Sequence, residues 1–356
     1  MRTRTGWAAL LLAALAIAAC GGSHSRAPEL TRTHRHVAER PTVAPRPVTI
    51  ASEGDYIPAG ASPPQALVTA ETENRLLIVD LPSGRVVGRI GLPRDPEDVA
   101  VAGDGGVVVV TSAAAGKVTL LEGTPLRPVK IIGGFGAPHI VAIAPDDQHA
   151  YVTDDERGTV TVIDLADLRV TSTIHVGAGA HHLCFDIKDQ NAWVALGESA
   201  RMLVLLSTQD LEHPRVIGHF PPPFAVHDLA CSSDSSRVWL TSATGPDATL
   251  VDGFDYGVVF RAPVGPPPQH VVLQGGSAYL TSGYGGIIER VDASTGRILA
   301  RAKSPYGSFE LAAGDGYVVT SSLLRGTLAI YTPGLKLVRV VHLAPATREV
   351  AISAPS

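Results

Sequence analysis

Ionisable side chains recur along this chain about every 40 residues, each time at the start of a short apolar segment. The densest example is the pair His181 and His182, which Cys184 follows two residues later. Imidazole, carboxylate and thiol groups gathered at one point can bind a metal ion or move protons. Their chemistry therefore depends on whether the fold brings the separate segments together.

A repeat of about 40 residues organises most of the chain. Its members align on stretches such as Ala150-Tyr151-Val152-Thr153 and Ala278-Tyr279-Leu280-Thr281. Short stretches of period-two alternation, separated by Asp, Gly and Pro turns, predict several strands in each copy. The copies span residues 66–106, 107–148, 149–190, 191–236, 237–276, 277–316 and 317–356. Seven near-equal copies predict an all-β fold, a seven-bladed β-propeller with four antiparallel strands per blade.

The phase of the repeat predicts how the ring closes. Residues 67–69 correspond to the second strand of a copy, whereas residues 349–353, at the end of the chain, correspond to a first strand. We therefore expect strands from both ends of the propeller to pair in one blade, which removes an exposed sheet edge.

Residues 150–177, AYVTDDERGTVTVIDLADLRVTSTIHVG, resemble the YVTN-type repeat of bacterial and archaeal surface proteins. The resemblance covers about residues 66–353 and implies a seven-bladed propeller. It implies no reaction, because one fold carries many functions.

The predicted inner strands share a triplet of large, small and large residues, as in Leu183-Cys184-Phe185. We expect the small middle residue to face the crowded axis and the large ones to pack between blades. The residue before each triplet then lies at the channel mouth, which gives Asp98, Ile140, His182, Asp228, His270, Glu310 and Glu349. The residue one place earlier gives Glu97, His139, His181, His227, Gln269, Phe309 and Arg348.

Carboxylates and imidazoles that converge on one axis repel each other unless a cation, raised carboxyl pKa values or water compensates. One divalent ion, Mg²⁺, Ca²⁺, Mn²⁺ or Zn²⁺, is an expected cofactor, and a softer metal could recruit Cys184. The predicted metal ligands are Asp98, His182, Asp228, His270, Glu310 and Glu349, and the predicted ligand-binding residues are His139, His181, His227 and Arg348. A metal-free polar pocket and a solvated channel lining remain alternatives.

The two cysteines of the repeat region, Cys184 and Cys231, occupy different positions of their triplets. The triplet pattern places them on opposite faces of adjacent inner strands, so we expect buried free thiols rather than a disulfide.

The N-terminus predicts export. A basic start precedes an apolar run too short to span a bilayer of about 30 Å, which is typical of a signal peptide. The sequence Leu15-Ala16-Ile17-Ala18-Ala19-Cys20 resembles a bacterial lipobox, so residues 1–19 are a predicted lipoprotein signal peptide and Cys20 a lipidation site. Cleavage after Ala19 with Cys20 unmodified is the alternative. We expect residues 20–47 to form a disordered tether, residues 48–65 a lead-in segment and residues 66–356 the propeller, with the protein lipid-anchored in the cell envelope.

The sequence is compatible with two functions. A net charge of −5 offers no basic face for nucleic acid, so the expected partners are the membrane and a small molecule or envelope protein at the channel mouth. The first function is a ligand-binding or scaffold module of the envelope. The second is a metal-assisted lyase or lactone hydrolase in which His182 or His270 moves a proton. Pro138-His139 resembles the Pro-His step of the virginiamycin B lyase family, which implies catalytic residues at the channel mouth.

Overall fold

Seven four-stranded antiparallel sheets form the part of the chain that the computed structural model describes, residues 63–103, 105–233, 236–267 and 269–353. Each inner strand contacts the inner strands of both neighbouring blades, and the last contacts the first, so the blades form a ring. The predicted all-β, seven-bladed propeller with four strands per blade is confirmed.

The strands follow one another along the chain from the inside of each blade to the outside. Blade 1 contains β1 (Gln65–Ala70), β2 (Arg75–Asp80), β3 (Arg85–Gly91) and the C-terminal β28 (Val350–Ser353). Blade 2 contains β4 (Pro96–Val101), β5 (Val107–Ser112), β6 (Lys117–Glu122) and β7 (Arg127–Gly133), and blade 3 contains β8 (Pro138–Ile143), β9 (His149–Asp154), β10 (Thr159–Asp164) and β11 (Arg169–His175). Blade 4 contains β12 (Ala180–Asp186), β13 (Asn191–Leu196), β14 (Leu203–Ser207) and β15 (Arg215–Phe220), and blade 5 contains β16 (Val226–Cys231), β17 (Arg237–Ser242), β18 (Asp247–Asp252) and β19 (Val258–Pro263). Blade 6 contains β20 (Val271–Gln274), β21 (Ser277–Ser282), β22 (Ile287–Asp292) and β23 (Ile298–Lys303), and blade 7 contains β24 (Ser308–Gly314), β25 (Tyr317–Ser322), β26 (Thr327–Tyr331) and β27 (Leu337–His342).

Blade 1 closes the ring as predicted. The C-terminal β28 pairs antiparallel with β1, with Val350 opposite Val68 and Ser353 opposite Gln65. The first strand begins one residue before the predicted boundary at residue 66. Pairing the two ends leaves no unpaired inner edge in this blade.

The apolar core lies between the blades. The second and third strands supply its fully buried members, of which Trp193, Trp239, Tyr151 and Tyr331 are the largest. The outer strands alternate between exposed and half-buried residues, as in β3 and β15. This gradient fits sheets that are covered on both faces near the axis and open to water at the rim.

The triplet of the inner strands does not divide between axis and blade interfaces as expected. Val99 and Val101 pack into the cluster shared with blade 1, whereas Ala100 packs into the cluster shared with blade 3. The same division recurs around the ring. Large and small residues therefore both face neighbouring blades, because each sheet of the ring is packed on both of its faces.

The expectation of free thiols was wrong, because Cys184 and Cys231 form a disulfide whose Cα atoms are 5.6 Å apart. Cys184, at the middle of its triplet, faces forward to blade 5, and Cys231, at the end of its triplet, faces back to blade 4. Both pack against the same cluster. In a ring of blades, the forward face of blade 4 packs against the backward face of blade 5. Cys184 and Cys231 therefore meet because they point to opposite faces of their own sheets.

The predicted signal peptide (1–19), the lipidation site Cys20, the tether (20–47) and residues 48–62 of the lead-in lie outside the described residues. Within the described ranges, no helix has the length and apolar character needed to cross a membrane.

Candidate metal centre

The candidate site lies where the inner strands begin. In every blade the strand register aligns the residue after the predicted mouth position: Val99 pairs with Val110, Leu183 with Val194 and Val350 with Val68. His270 and Glu310 precede the equivalent Val271 and Leu311. All seven predicted mouth positions are therefore structurally equivalent.

A local irregularity turns the side chains of this region into the mouth. The ladder between the first two strands shifts between Pro96 and Val99, and between Ala180 and Leu183. Equivalent shifts occur in blades 3, 5 and 7. The two residues inside each shift are the pair that the sequence places at the mouth, such as His181 and His182. A bulge frees such a pair from the alternation of a regular strand and re-aims its side chains.

Five histidines form the centre of the site, and each has an acceptor for its Nδ1 atom. His182 Nδ1 lies 3.0 Å from Asp228, and His270 Nδ1 lies 3.0 Å from Glu310. The others complete the set: His139 with Glu97 at 3.1 Å, His181 with Asp155 at 2.9 Å, and His227 with the backbone carbonyl of Glu198 at 3.0 Å. An imidazole that donates from Nδ1 presents Nε2 as a free lone pair, as metal-binding histidines do.

The potential ligand nitrogens converge in two overlapping groups of three. His139, His181 and His182 form one group and His182, His227 and His270 the other, with the potential ligand atoms of each group within 4.8 Å of one another. His227 Nε2 lies 2.9 Å from His270 Nε2. Since Nδ1 of His182 faces Asp228, both groups need the same Nε2 atom of His182. Only one group can therefore be complete at a time.

Burial keeps most of these rings neutral. Desolvation lowers the pKa of His182, with partial opposition from Asp228, and it lowers the pKa of His139 well below its usual value. Desolvation and the neighbouring His270 lower the pKa of His227 to about 3. Burial alone would also lower the pKa of His270, but Glu310 and Asp228 outweigh it and raise that pKa. The 2.9 Å contact between Nε2 of His227 and Nε2 of His270 needs a proton on one of the two nitrogens, and the opposite pKa shifts favour His270 as the donor.

Two of the predicted metal carboxylates bind backbone instead. Asp98 accepts from the N–H groups of Val99 and Val141, at 2.7 and 2.6 Å, and Asp228 accepts from the N–H of Leu229 and from that of Val271 in the next blade. Each carboxylate therefore bridges the inner strands of two blades. Desolvation raises the pKa of Asp98 to about 7; for Asp228 the same burial effect is outweighed by His182 and His270, which lower the pKa.

Glu349 and Arg348 complete the set of predicted site residues. Glu349 accepts from the Val350 N–H at 2.9 Å, and burial together with Glu310 and Asp98 raises its pKa well above the usual value. Arg348 forms ion pairs with Glu97 and, at 3.4 Å, with Glu71, so its charge is balanced within the protein.

A cavity of about 250 Å³ opens beside the histidines. Tyr284, Phe309 and Leu323 contribute the apolar part of its lining. Larger cavities exist elsewhere, including one of about 520 Å³ between blades 5 and 6 on the opposite face. Within the described ranges, the two histidine groups are the only sets of three potential metal ligands found, so the chemistry is concentrated at the smaller cavity.

Sequence reasoning missed the residues that the turns between second and third strands contribute. Asp155, Glu198 and Tyr284 all lie in such turns, which reach the same end of the propeller as the inner-strand starts. A signal existed, because the second strand runs antiparallel to the first and must end where the first begins.

The chain is similar in part to proteins of known family or structure. A family model described as the cytochrome D1 heme domain matches residues 102–239. The comparison with curated proteins finds no match. A solved structure of a functionally unknown protein from Desulfotomaculum acetoxidans DSM 771 has a TM-score of 0.72 and 17% identity, over 82% of this chain and 99% of that chain.

Two further solved structures carry names. Apo AztD from Citrobacter koseri has a TM-score of 0.64 and 11% identity, over 83% of this chain and 99% of that chain. Dihydro-heme d1 dehydrogenase NirN in complex with DHE has a TM-score of 0.59 and 15% identity, over 79% of this chain and 64% of that chain. Identities this low show a shared propeller fold alone.

Proposed function

We propose that this propeller is a ligand-binding module that holds one divalent transition-metal ion at the channel mouth, on His182, His227 and His270. The observation that supports this most strongly is the pairing of every Nδ1 atom of the five histidines with an acceptor. Carboxylates and carbonyls that fix the ring orientation are the usual outer partners of metal-bound histidine. His182, His227 and His270 are the favoured group because two of their Nε2 atoms are already 2.9 Å apart.

The donor set favours Zn²⁺ among the ions considered. Neutral imidazole nitrogens suit zinc, copper and nickel, whereas Mg²⁺ and Ca²⁺ need oxygen ligands. The oxygens of Asp98 and Asp228 are occupied by backbone N–H groups and histidine. Asp228 and Glu310 would therefore act as outer partners of the ion rather than as its ligands.

Three protein ligands leave a fourth zinc position for water or a small ligand. That position would open on the cavity of about 250 Å³, next to Tyr284 and Phe309. The similarity of residues 102–239 to the cytochrome D1 heme domain, and of the fold to NirN, raises a tetrapyrrole as an alternative ligand. The cavity lies below the range of about 300–1,000 Å³ that drug-sized ligands occupy, which supports an ion with a small ligand instead.

The open fourth position also supports a second candidate, the metal-assisted lyase or lactone hydrolase. A zinc-bound water is a nucleophile near neutral pH. His182 and His270 would then be metal ligands, and a rim group such as Glu198 would move the proton. Turnover of a lactone panel by the zinc-loaded protein, abolished by chelation, would support the enzyme; no turnover leaves the binding module.

We also propose that the protein is a YVTN-type repeat protein, exported as a lipoprotein on Cys20 and anchored in the cell envelope. The lipobox-like sequence supports the anchor, and the Cys184–Cys231 disulfide supports export, because disulfides persist mainly in oxidising compartments. Labelling with a radioactive fatty acid should mark the wild type and spare Cys20→Ala.

The decisive experiment is metal analysis of the protein from residue 21 onward, exported and purified without a histidine tag. We expect about one zinc per chain, removed by chelation and absent from His182→Ala/His270→Ala. The matched control is His175→Ala/His342→Ala, which removes two exposed histidines of outer strands and should keep the zinc. Equal zinc in both double variants, or no binding by the wild type at micromolar zinc, would refute the proposal.

A further inference from the structure

A hydroxyl at the end of the second strand links most neighbouring blades at the level of the site. Thr111 Oγ1 accepts from the Asp98 N–H of its own blade and donates to the His139 carbonyl of the next, at 3.0 and 2.7 Å. Thr241 does the same with Asp228 and Gln269. Equivalent bonds to the next blade run from Thr69 to Glu97, from Thr281 to Phe309 and from Ser321 to Arg348.

Blades 3 and 4 depart from this pattern. In blade 3 the Thr153 hydroxyl donates to the Ile140 carbonyl of its own blade, at 3.3 Å, whereas blade 4 has no hydroxyl at this position. The strand register places Ala195 where the other blades have Thr or Ser, since Val194 pairs with Leu183 as Val110 pairs with Val99. Ala195 is fully buried and has no hydroxyl to offer to the His227 carbonyl across the boundary with blade 5. The same boundary is the one that the Cys184–Cys231 disulfide spans.

The strands joined by the disulfide are the strands that carry the metal site. His182 lies two residues before Cys184 on β12, and His227 lies four residues before Cys231 on β16. The 3.0 Å contact between His182 and Asp228 crosses the same boundary. The spacing of His182 and His227 therefore depends on how firmly β12 and β16 are held together.

We propose that the Cys184–Cys231 disulfide is the positioning element of the metal site, so that reduction of this bond weakens metal binding. This inference rests on the proposed metal-binding function. An external dithiol would supply the two electrons and two protons: the S–S bond breaks, two cysteine thiols form, and the reductant leaves as its cyclic disulfide. The reduced boundary then has neither the covalent link nor the hydroxyl link, and His182 separates from His227.

The test compares zinc affinities measured by competition with a chromophoric chelator. Three proteins are compared: the oxidised wild type, the wild type reduced by dithiol and freed of reductant under anaerobic conditions, and the variant Cys184→Ala/Cys231→Val. Ala and Val were chosen because they occur at the same triplet positions in other blades. We expect the reduced and disulfide-free proteins to bind zinc about 10-fold to 100-fold more weakly, as when an outer partner of a metal ligand is lost.

Rescue distinguishes positioning from general stability. Adding Ala195→Thr to the disulfide-free variant supplies the missing hydroxyl and should restore most of the affinity, together with the visible spectrum of the Co²⁺-loaded protein. Thr69→Ala is the matched control, because it removes a hydroxyl link at the boundary of blades 1 and 2 and should lower the melting temperature without changing zinc affinity.

The outcomes separate this inference from the function on which it rests. If the wild type binds no zinc in either redox state, the metal-binding function fails. If all forms bind zinc equally, or the reduced form binds more tightly, the function stands and the positioning role is overturned. Should the double cysteine variant not fold, the reduced wild type carries the same comparison.

Discussion

Asp98 and Asp228 offer a matched pair of substitutions, because both carboxylates bridge the inner strands of neighbouring blades through two backbone N–H groups. Asp228 also accepts from His182 and lies 3.7 Å from His270. Asparagine keeps the size of the side chain but has one acceptor oxygen and no charge. Asp228→Asn therefore removes both an acceptor and a negative charge from a buried network, whereas Asp98→Asn relieves repulsion by Glu310.

The expected costs differ. Leaving a buried donor unsatisfied costs about 1–3 kcal/mol, and breaking a buried charge pair costs about 3–5 kcal/mol. We expect Asp228→Asn to lose about 3–5 kcal/mol at pH 8 and Asp98→Asn no more than about 2 kcal/mol, because relief of repulsion offsets part of the lost bonding. At about 2 °C per kcal/mol, the melting temperature of Asp228→Asn should lie roughly 2 °C or more below that of Asp98→Asn.

Differential scanning calorimetry in the presence of a chelator measures this difference without a contribution from bound metal. Circular dichroism at 25 °C should show that both variants retain the propeller. Equal losses for the two variants, or a larger loss for Asp98→Asn, would show that the histidines do not set the role of Asp228 and would refute the electrostatic reading of the site.

Three further outcomes are expected. The pKa of Asp98 is about 7 in the folded protein and near 3.8 in the unfolded chain, so this group lowers the free energy of unfolding as pH rises between those values. Asp98→Asn should therefore reduce the pH dependence of the melting temperature in thermal scans from pH 4 to 7.5. Zinc binding should release a proton from His270, so calorimetric titrations in buffers of different ionisation enthalpy should report proton release that grows as pH falls toward 6. Gly326→Ala should cost more stability than Gly286→Ala, although both glycines have φ of +60°. A Cβ at Gly326 would clash with the Ala344 carbonyl oxygen, whereas at Gly286 the nearest atom is 3.5 Å away. Chemical unfolding should show a loss of about 1 kcal/mol for Gly286→Ala and at least twice that for Gly326→Ala.

The fold could be predicted because aligning the copies of the repeat also aligns their strands. Once Tyr151-Val152-Thr153 is aligned with its six counterparts, the strand count, the blade count and the pairing of Val350 with Val68 follow. A repeat is informative because each unit must bury its faces against its neighbours, so errors in one unit are corrected by the rest.

The candidate site could be predicted in its positions but not in the direction of its side chains. Alternation along a regular strand separates His181 from His182, whereas the bulge brings both into the mouth. The pattern likewise gave no sign that Asp98 would satisfy two backbone N–H groups, since one of its donors lies 43 residues away in the next blade. The disulfide does not follow from the pattern, because alternation describes the two faces of one sheet, whereas Cys184 and Cys231 meet across the contact between two sheets.

The bulged pair at the start of the inner strands of blades 2, 3, 4, 5 and 7 makes the centre modular. Each of these blades contributes two adjacent side chains from a place where the backbone ladder is already interrupted, while the buried residue that follows keeps the strand in register. The side chains at the channel mouth can consequently be changed by substituting one pair of adjacent residues at a time, with little effect on the packing between the blades. An acidic, aromatic or imidazole-rich centre could use the same positions at the channel mouth.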